Sequence, residues 1–243
     1  MKILYIDIET APNLSYIWGQ FEQNAIDHLQ EWTLLGFAYA WNDGPVHTVY
    51  PPDTTTASEL PTTEVALLHE AHALFEEADV VIAHNGDRFD IRKMNAKFIE
   101  HNFPPPAPYL SVDTKKIASR VGMFNSNSLD NLGSKLGLGK KMKHEGWPMW
   151  EGCLAGEPKW WKKMAKYNKR DITLLRDLYK RLQPWDNRAP NFGNGVDECS
   201  KCGSKRIQKR GTKRMRSGLI RQTLHCQDCG GYSTVLKSGQ VRP

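Results

Sequence analysis

Two carboxylates, Asp7 and Glu9, stand two residues apart at the end of a branched and aromatic run, Lys2–Ile8, that reads as a β-strand. Alternation along a strand sends both side chains to one face. Carboxylates held side by side repel one another and favour protonation unless a cation lies between them; hard divalent ions with oxygen ligands, commonly Mg²⁺, meet that need. A single Asp-x-Glu is weak evidence, so further acids are required. Asp90 ends the segment His84-Asn85-Gly86-Asp87-Arg88-Phe89-Asp90, which follows the apolar run Val80–Ala83. A carboxylate at a strand's end is a common active-site placement, although Asp87 also suits a helix cap and Asp90 a first helical turn. Asp171 follows Tyr167 by four residues in a helical pattern, so a carboxylate and a phenol share one face. Spacing alone favours a solvated Asp and a half-buried Tyr there. Asn85 either contacts substrate or satisfies a turn, His84 reads as structural and Asp113 as a helix cap.

A second constellation lies near the C-terminus. Cys199-x2-Cys202 and Cys226-x2-Cys229, with 23 residues between the pairs, come close to the four-cysteine zinc pattern. Four thiolates close a tetrahedral Zn²⁺ site without an open position, so the expected metal is structural, and a segment of roughly 45 residues depends on it for folding. His225 is a spare ligand, and Cys153 a lone inert thiol. From Lys201 to Arg221 there are nine basic residues and no acid. Of these, Lys205, Arg206, Lys209, Arg210, Lys213, Arg214, Arg216 and Arg221 are expected on a hairpin that clamps phosphates with little sequence preference. Net charge supports this: the chain is +6, yet residues 191–243 alone are +8, leaving −2 for residues 1–190. A small region this basic implies a polyanionic partner, nucleic acid before anionic lipid.

The elements that must position these groups follow from pattern. Strands are expected at residues 2–8, 32–41, 46–50, 80–83 and 109–112, and helices from Val65 to Ala78, from Ile91 to His101, from a Ser128 cap to about Leu136, and from about Trp160 to Leu182. Pro51–Pro61 reads as a loop and Lys140–Pro158 as irregular. In that irregular stretch and just after it, Trp147, Trp150, Trp160 and Trp161 are candidates for stacking on an unpaired base, although a helix-face Trp is more often core. Lys140, Lys141 and Lys143 are candidates for steering phosphates, although a run of lysines is more often a solvated loop. Three strands followed by alternating helices and strands predict a mixed α/β sheet covered by helices.

Asp7-Ile8-Glu9-Thr10, His84–Asp90 and Tyr167-Asn168-Lys169-Arg170-Asp171 together resemble the three motifs of the DEDD superfamily of 3′→5′ exonucleases, in its tyrosine-type branch. Ser128–Gly133 is also similar, so the resemblance covers roughly residues 1–182. It implies a ribonuclease H-like α/β fold, a mixed sheet flanked by helices, and two catalytic Mg²⁺ or Mn²⁺ ions held by Asp7, Glu9, Asp90 and Asp171. In that scheme Asp7 bridges both ions and Tyr167 orients the attacking water. The tail resembles the zinc ribbons of nucleic-acid-binding proteins, with Zn²⁺ on Cys199, Cys202, Cys226 and Cys229.

The resulting expectation is an exonuclease domain over residues 1–183, a linker over 184–196 and a zinc ribbon over 197–243. The expected activity is 3′→5′ removal of nucleotides from single-stranded DNA, in proofreading or repair beside a separate DNA polymerase. RNA trimming and a catalytically inactive nucleic-acid-binding adaptor are the alternatives, and strand joining or nicking of transposase type is a third. No run approaches the roughly 18 apolar residues of a membrane helix, so neither signal peptide nor anchor is expected and the expected location is cytoplasmic.

Overall fold

The computed structural model describes residues 1–19, 21, 24–193 and 197–236. Residues 194–196 of the expected linker and 237–243 of the expected ribbon lie outside the described residues. In chain order the elements are β1 (Ile3–Thr10), β2 (Leu14–Tyr16), β3 (Asp27–Gln30), β4 (Leu34–Trp41), β5 (Val46–Val49), α1 (Leu60–Glu77), β6 (Val80–Ala83), α2 (Asp90–Glu100), β7 (Leu110–Asp113), α3 (Thr114–Val121), α4 (Leu129–Lys135), α5 (Trp147–Leu154) and α6 (Pro158–Leu182). A 3-10 turn, Gln183–Trp185, then leads to β8 (Ile207–Arg214), β9 (Ile220–Cys226) and β10 (Tyr232–Leu236).

Five strands form the main sheet in the order β5-β4-β1-β6-β7. β4 is antiparallel to β1 and β5, whereas β6 runs parallel to β1 and β7. β1 is central and its alternation sorts its residues between two layers. Leu4, Ile6 and Ile8 pack with Leu68 and Phe75 of α1 and with Met94 and Phe98 of α2. Tyr5 points the other way and packs with Ile172, Leu175 and Tyr179 of α6. Period two therefore carries Asp7 and Glu9 to the α6 side of the sheet. Each fully buried Leu, Ile or Phe stabilises the fold by about 1.5–3 kcal/mol. A one-residue slip of β1 would drive both carboxylates into the apolar layer, so its register is firmly set.

Several elements depart from the sequence expectation. The stretch read as irregular contains α5, whose start is marked by Gly146 at φ +74° and a proline in the first turn. Its apolar face is short, with Met149 and Cys153 fully buried. Its Gly152 lies so close to α6 that an added Cβ would come 1.8 Å from Trp160 Cδ1. The hairpin of β2 and β3 was not expected, because its strands are short and mostly exposed and carry little alternation. α3 follows directly on β7, with the Asp113 carboxylate accepting the N–H groups of Lys115 and Lys116 as the predicted cap. Ser128 likewise caps α4, its Oγ accepting from Asn131 N at 3.3 Å.

Segment 183–193 is tied to the sheet domain. Buried Asp186 pairs with Arg120 at 2.5 Å, and Phe192 packs against the α6 side of the core. β8, β9 and β10 form a separate antiparallel sheet in the order β10-β9-β8. Among the described residues, no helix is long and apolar enough to cross a membrane.

Candidate active site and metal centre

Helix α6 brings Asp171 to β1. Its face Ile172, Leu175, Tyr179 and Leu182 is buried, as the spacing predicts, and this seats Tyr167, Asn168 and Asp171 against the strand. One carboxylate oxygen from each of Asp7, Glu9 and Asp171 lies within 4.8 Å of the others. Asn168 fixes Asp7: its Nδ2 donates to Asp7 Oδ2 at 2.5 Å and to the Asp7 carbonyl at 3.1 Å, while its Oδ1 accepts from Tyr50 OH at 3.2 Å. Asp90 stands beside this trio and outside it. The β6 ladder reaches only Ile3, Leu4 and Tyr5 of β1, and further along that edge Asp90 Oδ1 accepts the Ile8 N–H at 3.1 Å.

Four acids this close and this buried resist ionisation. Asp7 is held well above the usual carboxylate range by burial, then by Asp90, Glu9 and Asp171. Burial pushes Glu9 up to about 8, with Asp171 adding to it. Burial also raises Asp90, to about 7, against the pull of the Ile8 N–H. Asp171 rises through burial, opposed by Lys141. Its two carboxylate oxygens are fully buried. The Lys141 ammonium faces them, 2.6 Å from Oδ2. A crowded, oxygen-only donor set short of positive charge fits a hard divalent cation, and the residues present fit Mg²⁺ or Mn²⁺.

Tyr167 is 6% exposed and its OH accepts from Lys141 Nζ at 2.7 Å. Burial, with the Asp171 charge second, moves this phenol further above its ordinary range. It remains protonated at neutral pH, which suits a group that orients water and not one that takes a proton. Sequence pattern assigned neither Lys141 nor Asn168 to the carboxylates that they touch. Asn168 carries a signal, since it lies within the Tyr167–Asp171 motif on the same helix face. Lys141 carries none, because an irregular lysine run looks the same whether it is solvated or folded onto carboxylates. His84 is structural as expected: Nδ1 meets Thr114 Oγ1 at 2.8 Å and Nε2 meets the Asn127 carbonyl at 2.9 Å. Asn85 sits at φ +70° beside it. Of the tryptophans, Trp161 is core and donates to the Thr55 carbonyl, Trp150 donates to the Thr10 carbonyl, and Trp147 is half exposed.

The four tail cysteines also converge, with Sγ atoms within 4.8 Å of one another. Cys199 and Cys229 Sγ are 3.7 Å apart and Cys202 and Cys226 Sγ 3.6 Å. The edge of a tetrahedron with Zn–S bonds of about 2.3 Å is about 3.8 Å, so the donor set fits a closed four-thiolate ion. Lys201 N–H and Gly231 N–H each donate to a cysteine sulfur at 3.4 Å, the partners thiolates need. His225 is not part of the set; its ring stacks on Tyr232 at 4.4 Å. Cys153 is buried in the core.

The eight basic residues predicted to bind phosphate lie on or beside β8 and β9, and most are exposed. Arg206 is neutralised by Asp228 at 2.5 Å, and Lys213 and Arg221 face each other across the ladder. Among the described residues none of the eight contacts the carboxylate cluster. Lys201, counted in the basic run, is instead buried, with Nζ donating to the Pro184 carbonyl and to Asn187 Oδ1.

A search of curated proteins finds no match. Among solved structures, the chain is similar to the family B DNA polymerase from the hyperthermophilic archaeon Pyrobaculum calidifontis, with a TM-score of 0.53 and 14% identity. The similarity covers 76% of this chain and 25% of the polymerase, so the chain spans about a quarter of that protein, and at this identity the likeness concerns the fold. Residues 4–183 match the family model of the RNase H superfamily, covering both β1 and α6 and hence every carboxylate of the cluster. The mixed sheet, its flanking helices and that match agree: the chain belongs to the RNase H superfamily.

Proposed function

We propose that the protein is a metal-dependent nuclease that removes nucleotides from the 3′ end of single-stranded DNA. The observation that carries this reading is the cluster of Asp7, Glu9 and Asp171 within 4.8 Å, with the Tyr167 phenol four residues from Asp171 on the same helix face. Asp7, Glu9 and Asp171, with Asp90 beside them, are the residues to hold two Mg²⁺ or Mn²⁺ ions. When bound, such ions lower the pKa of water and neutralise charge on the phosphodiester. The chain's own contribution is positional. Asn168 fixes the Asp7 carboxylate, Lys141 fixes the Tyr167 phenol, and Tyr167 holds the attacking water by hydrogen bonding. Membership of the RNase H superfamily and structural likeness to a DNA polymerase support a nuclease-type reaction on nucleic acid.

A splayed, unpaired end suits a site set at the end of β1, which favours single strands. Residues 1–183 would form the catalytic unit, 184–196 a connector, and 197–243 a ribbon that holds Zn²⁺ and clamps phosphates without reading sequence. A role in proofreading or repair beside a separate polymerase is the biological setting this chemistry suits. The test is to incubate the zinc-loaded protein with 5′-labelled single-stranded DNA or matched RNA and Mg²⁺ or Mn²⁺, beside Asp7→Ala. A ladder shortening from the 3′ end, absent in Asp7→Ala, supports the reading, and the faster substrate fixes the sugar preference. Retarded but uncut substrate under both metals refutes it in favour of a binding adaptor.

A further inference from the structure

A pocket of about 470 Å³ opens beside the turn that carries Asp90. It is lined by Asn85 and Arg88 of that turn, by Asp113, Lys115, Lys116, Ser119 and Arg120 around the start of α3, and by Arg188. Five cations thus converge in a part of the chain whose overall balance, over residues 1–190, is negative. Three carboxylates answer them. Asp87 pairs with Lys116 at 2.6 Å, Asp186 pairs with Arg120 at 2.5 Å, and Asp113 is taken up by the N–H groups of Asn85, Lys115 and Lys116. Arg88, Lys115 and Arg188 are exposed, and among the described residues their side chains have no ion pair or hydrogen bond. Asp186 also accepts the Arg188 N–H at 2.9 Å, which holds that residue's backbone at the rim.

We infer that Arg88, Lys115 and Arg188 form a subsite for the phosphodiester backbone of the substrate strand, upstream of the 3′ end that reaches Asp7, Glu9 and Asp171. This rests on the nuclease reading above. Three features point to it. The lining is cationic and in surplus over its acids, which suits an anion with several oxygens. It is also concave and built from three chain segments fixed by the Asp113 and Asp186 hydrogen bonds, so the cations are gathered and not merely scattered on a surface. Finally, it adjoins the catalytic carboxylates: Arg88 is two residues from Asp90, at most about 7 Å along the backbone, and the Asp113 charge is felt at Asp90. The left-handed backbone of Asn85, with its carbonyl accepting from Arg88 N and Phe89 N, is what turns Arg88 toward the pocket while Asp90 returns to β1.

The test measures salt dependence. Binding of a 5′-fluorescent single-stranded oligonucleotide is followed by anisotropy at 50–200 mM KCl in the Asp7→Ala background, so that cleavage does not consume the probe. Arg88→Ser/Lys115→Ser/Arg188→Ser is compared with Lys159→Ser/Lys162→Ser/Lys166→Ser, the same charge loss on the first turns of α6. Each lost contact to a single strand removes about 0.7 from the slope of log K against log salt, so three remove about 2. Across the fourfold salt range the parent should therefore weaken about 16-fold more than the pocket variant, and the α6 control should follow the parent. Thermal unfolding confirms that the fold is intact, and a single Lys115→Glu variant, which reverses one charge of the pocket, should lower the slope in the same direction. Equal slopes in parent and pocket variant, or equal losses in pocket and control variants, would overturn the inference. If the unmutated protein neither shortens nor binds single-stranded DNA, the nuclease reading fails first; if it does both and the slopes are equal, the subsite alone fails.

Discussion

Glu9 offers a direct test of the electrostatic account of the site. Its carboxyl sits near 4.5 in the unfolded chain and about 8 in the folded one, chiefly through burial and then through Asp171. Because the folded value is raised, the folded protein binds the proton more tightly. The stability this contributes is complete below about pH 4.5 and is lost as pH rises through 8. Each pH unit between the two values corresponds to about 1.4 kcal/mol, which sets a ceiling near 5 kcal/mol. Because Glu9 titrates together with the neighbouring acids, about 2 kcal/mol is expected for Glu9 alone, or roughly 4–8 °C in Tm for a chain of this size. Glu9→Gln is neutral at every pH and keeps the side-chain shape. In thermal melts without divalent ions it should match the natural protein at pH 5 and exceed it by that margin at pH 8.5. Mg²⁺ should then raise the Tm of the natural protein more at pH 8.5 than at pH 5, and raise that of Glu9→Gln less. Parallel curves of Tm against pH for the two proteins would refute the claim that the cluster is charge-frustrated.

Other predictions follow from single contacts. Tyr167→Phe removes the hydroxyl that meets Lys141 and should lower turnover by about 10- to 100-fold while leaving Mg²⁺-dependent stabilisation unchanged; unchanged turnover would remove Tyr167 from the reaction. Gly152→Ala places a methyl against the Trp160 ring where α5 meets α6, and should cost about 1–3 kcal/mol in denaturant unfolding. If Cys199, Cys202, Cys226 and Cys229 hold the expected Zn²⁺, chelation should unfold the sheet β8–β10, with loss of its amide exchange protection and little change in β1 or α6; retained protection in β9 would show that this sheet folds without metal.

Much of the carboxylate cluster was legible in the chain because it rests on short-range periodicity. Period two on β1 places Asp7 and Glu9 together, and the four-residue spacing on α6 places Tyr167 above Asp171; the elements that carry them are apolar enough to announce themselves. The cysteine pairs were legible for a related reason, since a tetrahedral ion constrains ligand type and local spacing. What required the tertiary structure is every relation between distant segments. Lys141 comes from a stretch without periodicity, and its place beside Asp171 and Tyr167 goes with the tie of that stretch to α6, where Arg170 Nε donates to the Lys140 carbonyl. α5 was hidden because two tryptophans, a proline and a glycine obscure its repeat, and only packing against α6 stabilises so short a helix. Asp90 shows both sides. Its type and turn were evident in the sequence, whereas its bond to the Ile8 N–H exists because the β6 ladder stops at Tyr5 and leaves that edge of β1 to be satisfied. Local patterns thus determined which side chains share a face, and the fold decided which faces meet, because contact between segments far apart in sequence depends on packing that no local repeat encodes.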